Sequence, residues 1–211
     1  MPQHKRDPYQ KSAIVAKATE VLDAYGIADL TMRRLARELD VTVGALYWHF
    51  TSKQELLGAV ADELLRPAVE ELAGLTGDWP DVIGAVARRL RDALLSRTDG
   101  AELVSAGFAA GQSTAVRVIV DRLGAAAAEA GLTGDQPALA ARTVVYYVLG
   151  FTVDEQSRLQ WDAAGAALPG DSPVLDDDAG TRFAFGLMLL IDGIAARCGT
   201  SACSRLTLPR D

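Results

Sequence analysis

The sequence predicts an all-α protein, a small N-terminal three-helix head on a larger helical body. Three observations predict it. Apolar residues recur at helical spacing along most of the chain, and no segment alternates apolar and polar as a half-buried strand would. Helix-start residues fall at Thr31, Thr42 and Ser52, so three starts crowd into the stretch 30–57. Turn signals punctuate the rest, at Gly77-Asp78, Gly131 and Gly134.

Taken in order, the first helix is expected to open at Asp7-Pro8, with Asp7 as cap, Pro8 in the first helical position and Gln10 where a capping-box partner belongs. Ile14, Ala18, Val21, Leu22 and Tyr25 form its apolar stripe, and Gly26 ends it. Thr31 caps a short second helix with Leu35, Ala36 and Leu39 inward, and Thr42 caps a third with Leu46 and Phe50 inward. Ser52-x-x-Glu55 is a capping box opening a long fourth helix through Leu56, Leu57, Val60 and Leu64, which Pro67 must kink or end. Further helices are expected at 80–97, 101–110, 114–130, 136–160 and 179–197. The stretch 166–180, with Pro169, Pro173 and the run Asp176–Asp178, reads as an exposed, mobile loop. The predicted division is a head at 1–53 and a body at 54–211.

Composition narrows the function. No apolar run approaches the ~18 residues of a membrane span, and the N-terminus carries charge without the apolar core of a secretory leader, so a cytoplasmic chain without a membrane partner is expected. Two cysteines, Cys198 and Cys203, make neither a disulfide framework nor a closed zinc site. Net charge is −7, yet residues 1–53 hold eight Lys and Arg against six Asp and Glu, so a mildly basic head sits on an acidic body. No G-x-S-x-G, H-E-x-x-H, P-loop or G-x-G-x-x-G motif occurs, and adjacent Asp154 and Glu155 point to different sides of a helix. No catalytic residue, cofactor or metal site is expected.

The second and third helices, joined through Asp40-Val41 and buttressed by the first, have the arrangement of a helix-turn-helix, whose second helix enters the major groove of double-stranded DNA. Its outward positions are Thr42, Val43, Ala45, Tyr47, Trp48 and His49. Val43 or Ala45 suits a thymine methyl, and Arg33 a bidentate guanine contact. Tyr47, His49 and Lys53 suit phosphates, while Trp48 suits the backbone sugars. Spacing alone leaves two other readings open: a head that docks on another protein, and a helical enzyme of unknown chemistry.

The stretch LTMRRLARELDVTVGALYWHFTSKQELL, Leu30 to Leu57, resembles the DNA-binding head of the TetR family. The resemblance implies a homodimer on a palindromic operator, a repressor released by a small-molecule effector, and places Arg33, Thr42, Val43, Ala45, Tyr47, Trp48, His49 and Lys53 on DNA-contacting positions. Met32, Val43 and Gly44 depart from residues common in the family, which implies a different operator. In the body, LLSRTDGAELV (from Leu94), LGFTVDEQ (from Leu149) and FAFGLMLLIDGI (from Phe183) resemble the tetracycline-repressor branch. That likeness implies a dimer interface through Phe183, Leu187, Leu190, Ile191 and Ile194. The positions where that branch holds its drug and magnesium are Val69, Val86 and Val104, which cannot ligate a metal or hydrogen-bond a polar drug. Magnesium–tetracycline is therefore not the expected effector. A more apolar pocket of Val69, Val86, Leu90, Val104 and Phe108 is expected, with Gln112, Arg142 and Tyr146 as polar anchors. An inward Arg142 would favour a carboxylate.

Overall fold

The computed structural model describes residues 10–165 and 178–199. Among the described residues every regular element is a helix: α1 (Lys11–Asp29), α2 (Met32–Glu38), α3 (Val43–His49), α4 (Lys53–Leu72), α5 (Trp79–Leu95), α6 (Gly100–Ala110), α7 (Thr114–Glu129), α8 (Gln136–Ala163) and α9 (Ala179–Gly199).

Local capping chemistry defines the head. The Thr31 hydroxyl accepts the Arg34 N–H at 3.1 Å, Thr42 accepts that of Ala45 at 3.2 Å, and Ser52 accepts that of Glu55 at 3.1 Å. Each satisfies a donor that a helix start leaves unpaired, worth ~1 kcal/mol. Asp40 makes the turn between α2 and α3 at φ 53°, a left-handed conformation that Asp tolerates better than most residues. Ile14, Leu22, Leu35, Leu46, Phe50 and Leu56 are fully buried together in the core beneath that turn. Each such side chain contributes roughly 1.5–3 kcal/mol relative to exposure.

The body is a packed set of helices around α5. Val82, Ile83, Val86, Ala87, Leu90 and Leu94 form its buried stripe at helical spacing, and α4, α6, α7, α8 and α9 all pack against it. α6 passes into α7 at an angle of 82°. Asp178 starts α9, its carboxylate accepting the Thr181 N–H at 3.2 Å. α9 then seats on α8, where the Tyr147 hydroxyl donates to the Phe183 carbonyl at 2.7 Å. Gly186 permits that approach, because a Cβ there would collide with the Tyr147 ring and hydroxyl.

Several expectations change. α1 begins at Lys11 with Gln10 as its cap residue, so Gln10 is no capping-box partner; Asp7 and Pro8 lie outside the described residues. The helical path breaks at Gly26 (φ 77°) but one more turn carries it to Asp29. Tyr25 leaves the buried stripe, 52% exposed, because Arg34 stacks on its ring at 3.6 Å. Glu55 reaches back to the N–H of Thr51, at 2.7 Å, rather than to that of Ser52. Pro67 neither ends nor interrupts α4, which runs on to Leu72 with Pro67 exposed. Ala179–Cys198 is a stretch of 20 residues long and apolar enough to cross a membrane, contrary to the expectation of no such run. Its Phe183, Leu187 and Ile194 are nevertheless buried against the chain's own helices. Residues 166–177, most of the expected loop, and Cys203 lie outside the described residues.

Candidate nucleic-acid interface and its link to the body

The inner faces of α2 and α3 are sealed by Leu35, Leu46 and Phe50, which leaves their other faces to solvent. None of the eight expected contact residues is buried. Arg33, Thr42, Tyr47 and Trp48 are exposed, and Val43, Ala45, His49 and Lys53 are half-buried at the same surface. Trp48 is 89% exposed. Gly44, between Val43 and Ala45, meets only the Thr42 hydroxyl, so the first turn of α3 offers nearly bare backbone. Adjacent arginines divide the work. Arg34 is held by Asp29 at 3.0 Å and by the Tyr25 ring, whereas Arg33 projects from the surface.

The start of α4, beside Lys53, is locked by Glu55. Its carboxylate accepts the Thr51 N–H and hydroxyl and pairs with Lys11 at 3.0 Å. Those donors, the Thr51 amide foremost, hold the Glu55 carboxyl down at about 2. Lys11 also lies 4.8 Å from the centroid of the Phe50 ring, which ties α1 to the α3–α4 turn a second time.

Two junctions tie α1 and the long α4 that leads out of the head to the rest of the body. The first is polar and lies between α1 and the α5–α6 loop. Asp99, left-handed at φ 52°, accepts the Ile27 N–H at 2.9 Å through one oxygen and the Gln160 amide at 2.6 Å through the other. Arg97 pairs with Asp23 at 2.7 Å. Behind the loop, buried Gln156 of α8 donates to the Leu94 and Arg97 carbonyls at 3.1 and 2.8 Å and accepts the Ala101 N–H at 3.1 Å, so one side chain joins the end of α5 to the start of α6. The second junction is close-packed. A Cβ on Gly58 of α4 would meet the Gln112 carbonyl at 2.5 Å, and one on Gly107 of α6 would sit 3.6 Å from the Ala61 Cβ. Asp62 of α4 accepts from the Ser113 hydroxyl at 2.7 Å and from the Ala115 N–H at 2.9 Å, fixing the start of α7. α6 thus touches α1 through its leading loop and α4 through its trailing end.

The expected effector residues do not gather in one place. Val86, Leu90 and Val104 are fully buried in the core, where neighbouring side chains fill the space. Val69 borders a separate groove between α1 and α4, of about 730 Å³, and Gln112 is an exposed turn residue. Phe108, Arg142 and Tyr146 do come together, in an open cleft of about 460 Å³ between α6 and α8. Of the residues expected at a dimer interface, Phe183, Leu187 and Ile194 are instead covered by the chain's own helices, and Leu190 and Ile191 are half-buried. The exposed apolar side chains of α9 are Phe185, Met188 and Leu189. Sequence reasoning also passed over Asp99, Gln156, Gln160 and the pair Arg91–Glu155. Their partners lie up to 72 residues away, and no local spacing marks them.

Residues 14–60 match the family described as bacterial regulatory proteins, tetR family, and residues 73–169 match the tetracyclin repressor-like C-terminal domain. The chain is 31% identical over 203 residues to the tetracycline repressor class A from transposon 1721 of Escherichia coli, covering 89% of this chain and 91% of that repressor. Among solved structures, Mycobacterium smegmatis BioQ superposes with a TM-score of 0.80 at 61% identity, over 89% of this chain and 98% of that one. A structure of BioQ with its double-stranded DNA operator superposes with a TM-score of 0.75 at 56% identity, over 89% and 99% of the two chains.

Proposed function

The chain belongs to the TetR family of DNA-binding transcriptional regulators, and from that premise we propose that it acts as a homodimeric repressor, two heads on a palindromic operator, released by a small molecule other than magnesium–tetracycline. One observation carries the operator-facing part: a helix whose inner side is sealed by Leu46 leaves Trp48 89% exposed beside Tyr47. Such bare aromatic surface on a small head is a contact surface, and the relative BioQ is solved with its DNA operator. In this reading Arg33 takes a guanine edge, and Val43 and Ala45 approach thymine methyls. Tyr47, His49 and Lys53 contact phosphates, Thr42 donates its hydroxyl proton to one while capping α3, and Trp48 lies along the sugars.

The exposed Phe185, Met188 and Leu189 of α9, with Leu159 and Trp161 near the end of α8, form the dimer face of this reading. Release follows from the placing of α6. A ligand pressing on Phe108 pushes a helix whose leading loop holds Ile27 of α1 and whose trailing end abuts Gly58 of α4. A small shift of α6 therefore re-aims the head and spoils the half-site spacing. Val86 and Val104 offer no oxygen or nitrogen donor, so the magnesium-bound drug of the tetracycline repressors has no ligand set here.

Selection of binding sequences from randomised duplexes tests the operator claim. An enriched inverted repeat, bound by two protomers, is expected. Enrichment of a single half-site bound by one protomer would contradict it.

A further inference from the structure

We infer that the cleft between α6 and α8 takes an amphipathic carboxylate, its anionic end on the Arg142 guanidinium and its apolar part along Phe108, Leu149 and Val153; the inference rests on the effector reading above. Among the described residues two arginines lie over phenylalanine rings, and they differ in exposure and in their partners. Arg91 lies 5.0 Å from the Phe183 ring centroid and grips Glu155 through two hydrogen bonds, at 2.9 and 2.5 Å. Arg142 lies 5.3 Å from the Phe108 ring centroid, and no acidic side chain among the described residues pairs with it. Phe108 is itself braced by the Tyr146 ring at 5.5 Å, so the ring beneath Arg142 is held in place. A guanidinium laid on a ring keeps its N–H edges for a planar, bidentate acceptor, and the Arg91–Glu155 pair shows that arrangement satisfied within the same fold.

The surroundings set the ligand class. The cleft, of about 460 Å³, is walled by the ring of Phe108 and the aliphatic Leu149 and Val153, with polar tips only at Ser105, Arg142 and Tyr146. A Cβ on Gly150 would meet nothing within 4 Å, which leaves the α8 wall open for an apolar chain or ring. A single cation beside an aromatic ring and the Val153 side chain, with the Ser105 and Tyr146 hydroxyls next to it, suits a monoanion that carries an apolar part; a phosphate ester would call for a second cation. Occupancy acts on α6 through Phe108, the helix that meets both junctions.

Two acid–amide pairs serve as probes: 4-phenylbutyrate with 4-phenylbutanamide, and octanoate with octanamide. Calorimetry on the full chain is expected to find at least one acid bound ~10-fold or more tightly than its amide, the scale of a charge-assisted hydrogen bond. In Arg142→Gln that ratio falls to about one, in a chain that a thermal melt shows to be folded. Amide and acid binding alike, or no binding by any probe, overturns the inference. So does an Arg142→Gln chain that dissociates to monomers, which would assign the cleft to the partner subunit. Acid binding that leaves operator affinity unchanged would uphold the carboxylate site and remove the effector reading. An amide that binds as well as its acid and releases operator would do the reverse.

Discussion

The two junctions that tie α1 and α4 to the rest of the body are built from different materials. At α1 the link is a set of directed polar contacts: Asp99 to Ile27, Arg97 to Asp23, and Gln156 bracing the loop from behind. At α4 the link is close packing, with Gly58 against the Gln112 carbonyl and Gly107 against Ala61, pinned at one point by Asp62, which accepts from Ser113 and Ala115. The directed hydrogen bonds at α1 fix one orientation, whereas at α4 the glycines let two backbones touch, so that a displacement of one is passed straight to the other. The difference suits a transmission in which the α4 contact is where α6 pushes and the α1 contact decides which head orientation is held.

The largest effect is expected at the packed junction. Gly58→Val places methyl groups against a backbone carbonyl that cannot move aside, so urea unfolding should show a loss of about 3 kcal/mol. An unchanged midpoint would mean that α4 and α6 do not bear on each other as described. At the polar junction, Gln156→Ala leaves the Leu94 and Arg97 carbonyls and the Ala101 N–H without that partner, at a cost of ~1–3 kcal/mol. The same variant should weaken operator binding beyond its effect on folding, measured at a temperature where it is fully folded. Operator affinity equal to that of the natural chain would confine Gln156 to holding the body together.

Substitutions on the exposed surface of α2, α3 and the start of α4 touch neither junction. Arg33→Ala should cost ~1–3 kcal/mol of operator affinity and relax preference at one base pair per half-site, with unfolding unchanged. Uniform loss across sequences would move Arg33 to the phosphates. Lys53→Ala should weaken binding to any duplex and flatten the salt slope by about one unit per head; an unaltered slope would take Lys53 off the backbone. The smallest effect concerns Glu55. Its carboxyl lies near 2 in the folded head against an ordinary 4.5, so its contribution is present at neutral pH and fades as pH falls from about 4.5 to about 2. The stability gap between the natural chain and Glu55→Gln should therefore narrow over that range, and a gap independent of pH would contradict the assignment.

The head was legible in the sequence because its determinants are local. Thr31, Thr42 and Ser52 cap helices within three residues of themselves, and the structure keeps all three caps. Even there Glu55 chose Thr51 over Ser52, a distinction of one residue that spacing cannot make. The body was legible as helices but not as surfaces. α9 is apolar nearly all round, and periodicity does not say which stripe meets its own α8 and which is left bare. Phe183 and Leu187 therefore look like an interface while Phe185, Met188 and Leu189 are the exposed side chains. Val86 and Val104 look like pocket walls in a resemblance and are core, because apolar side chains of their size fill the space that a drug would need. Arg142, Phe108 and Tyr146 lie together, apart from the other residues expected beside them, and a helical spacing of four puts the two α8 residues on one face.

Operator recognition by a dimer is measured by fluorescence anisotropy on the duplex upstream of the chain's own gene, against a shuffled duplex at two salt concentrations. Preferential, salt-sensitive binding by two protomers per site is expected. Equal and weak binding to both duplexes, or binding indifferent to salt, would contradict it.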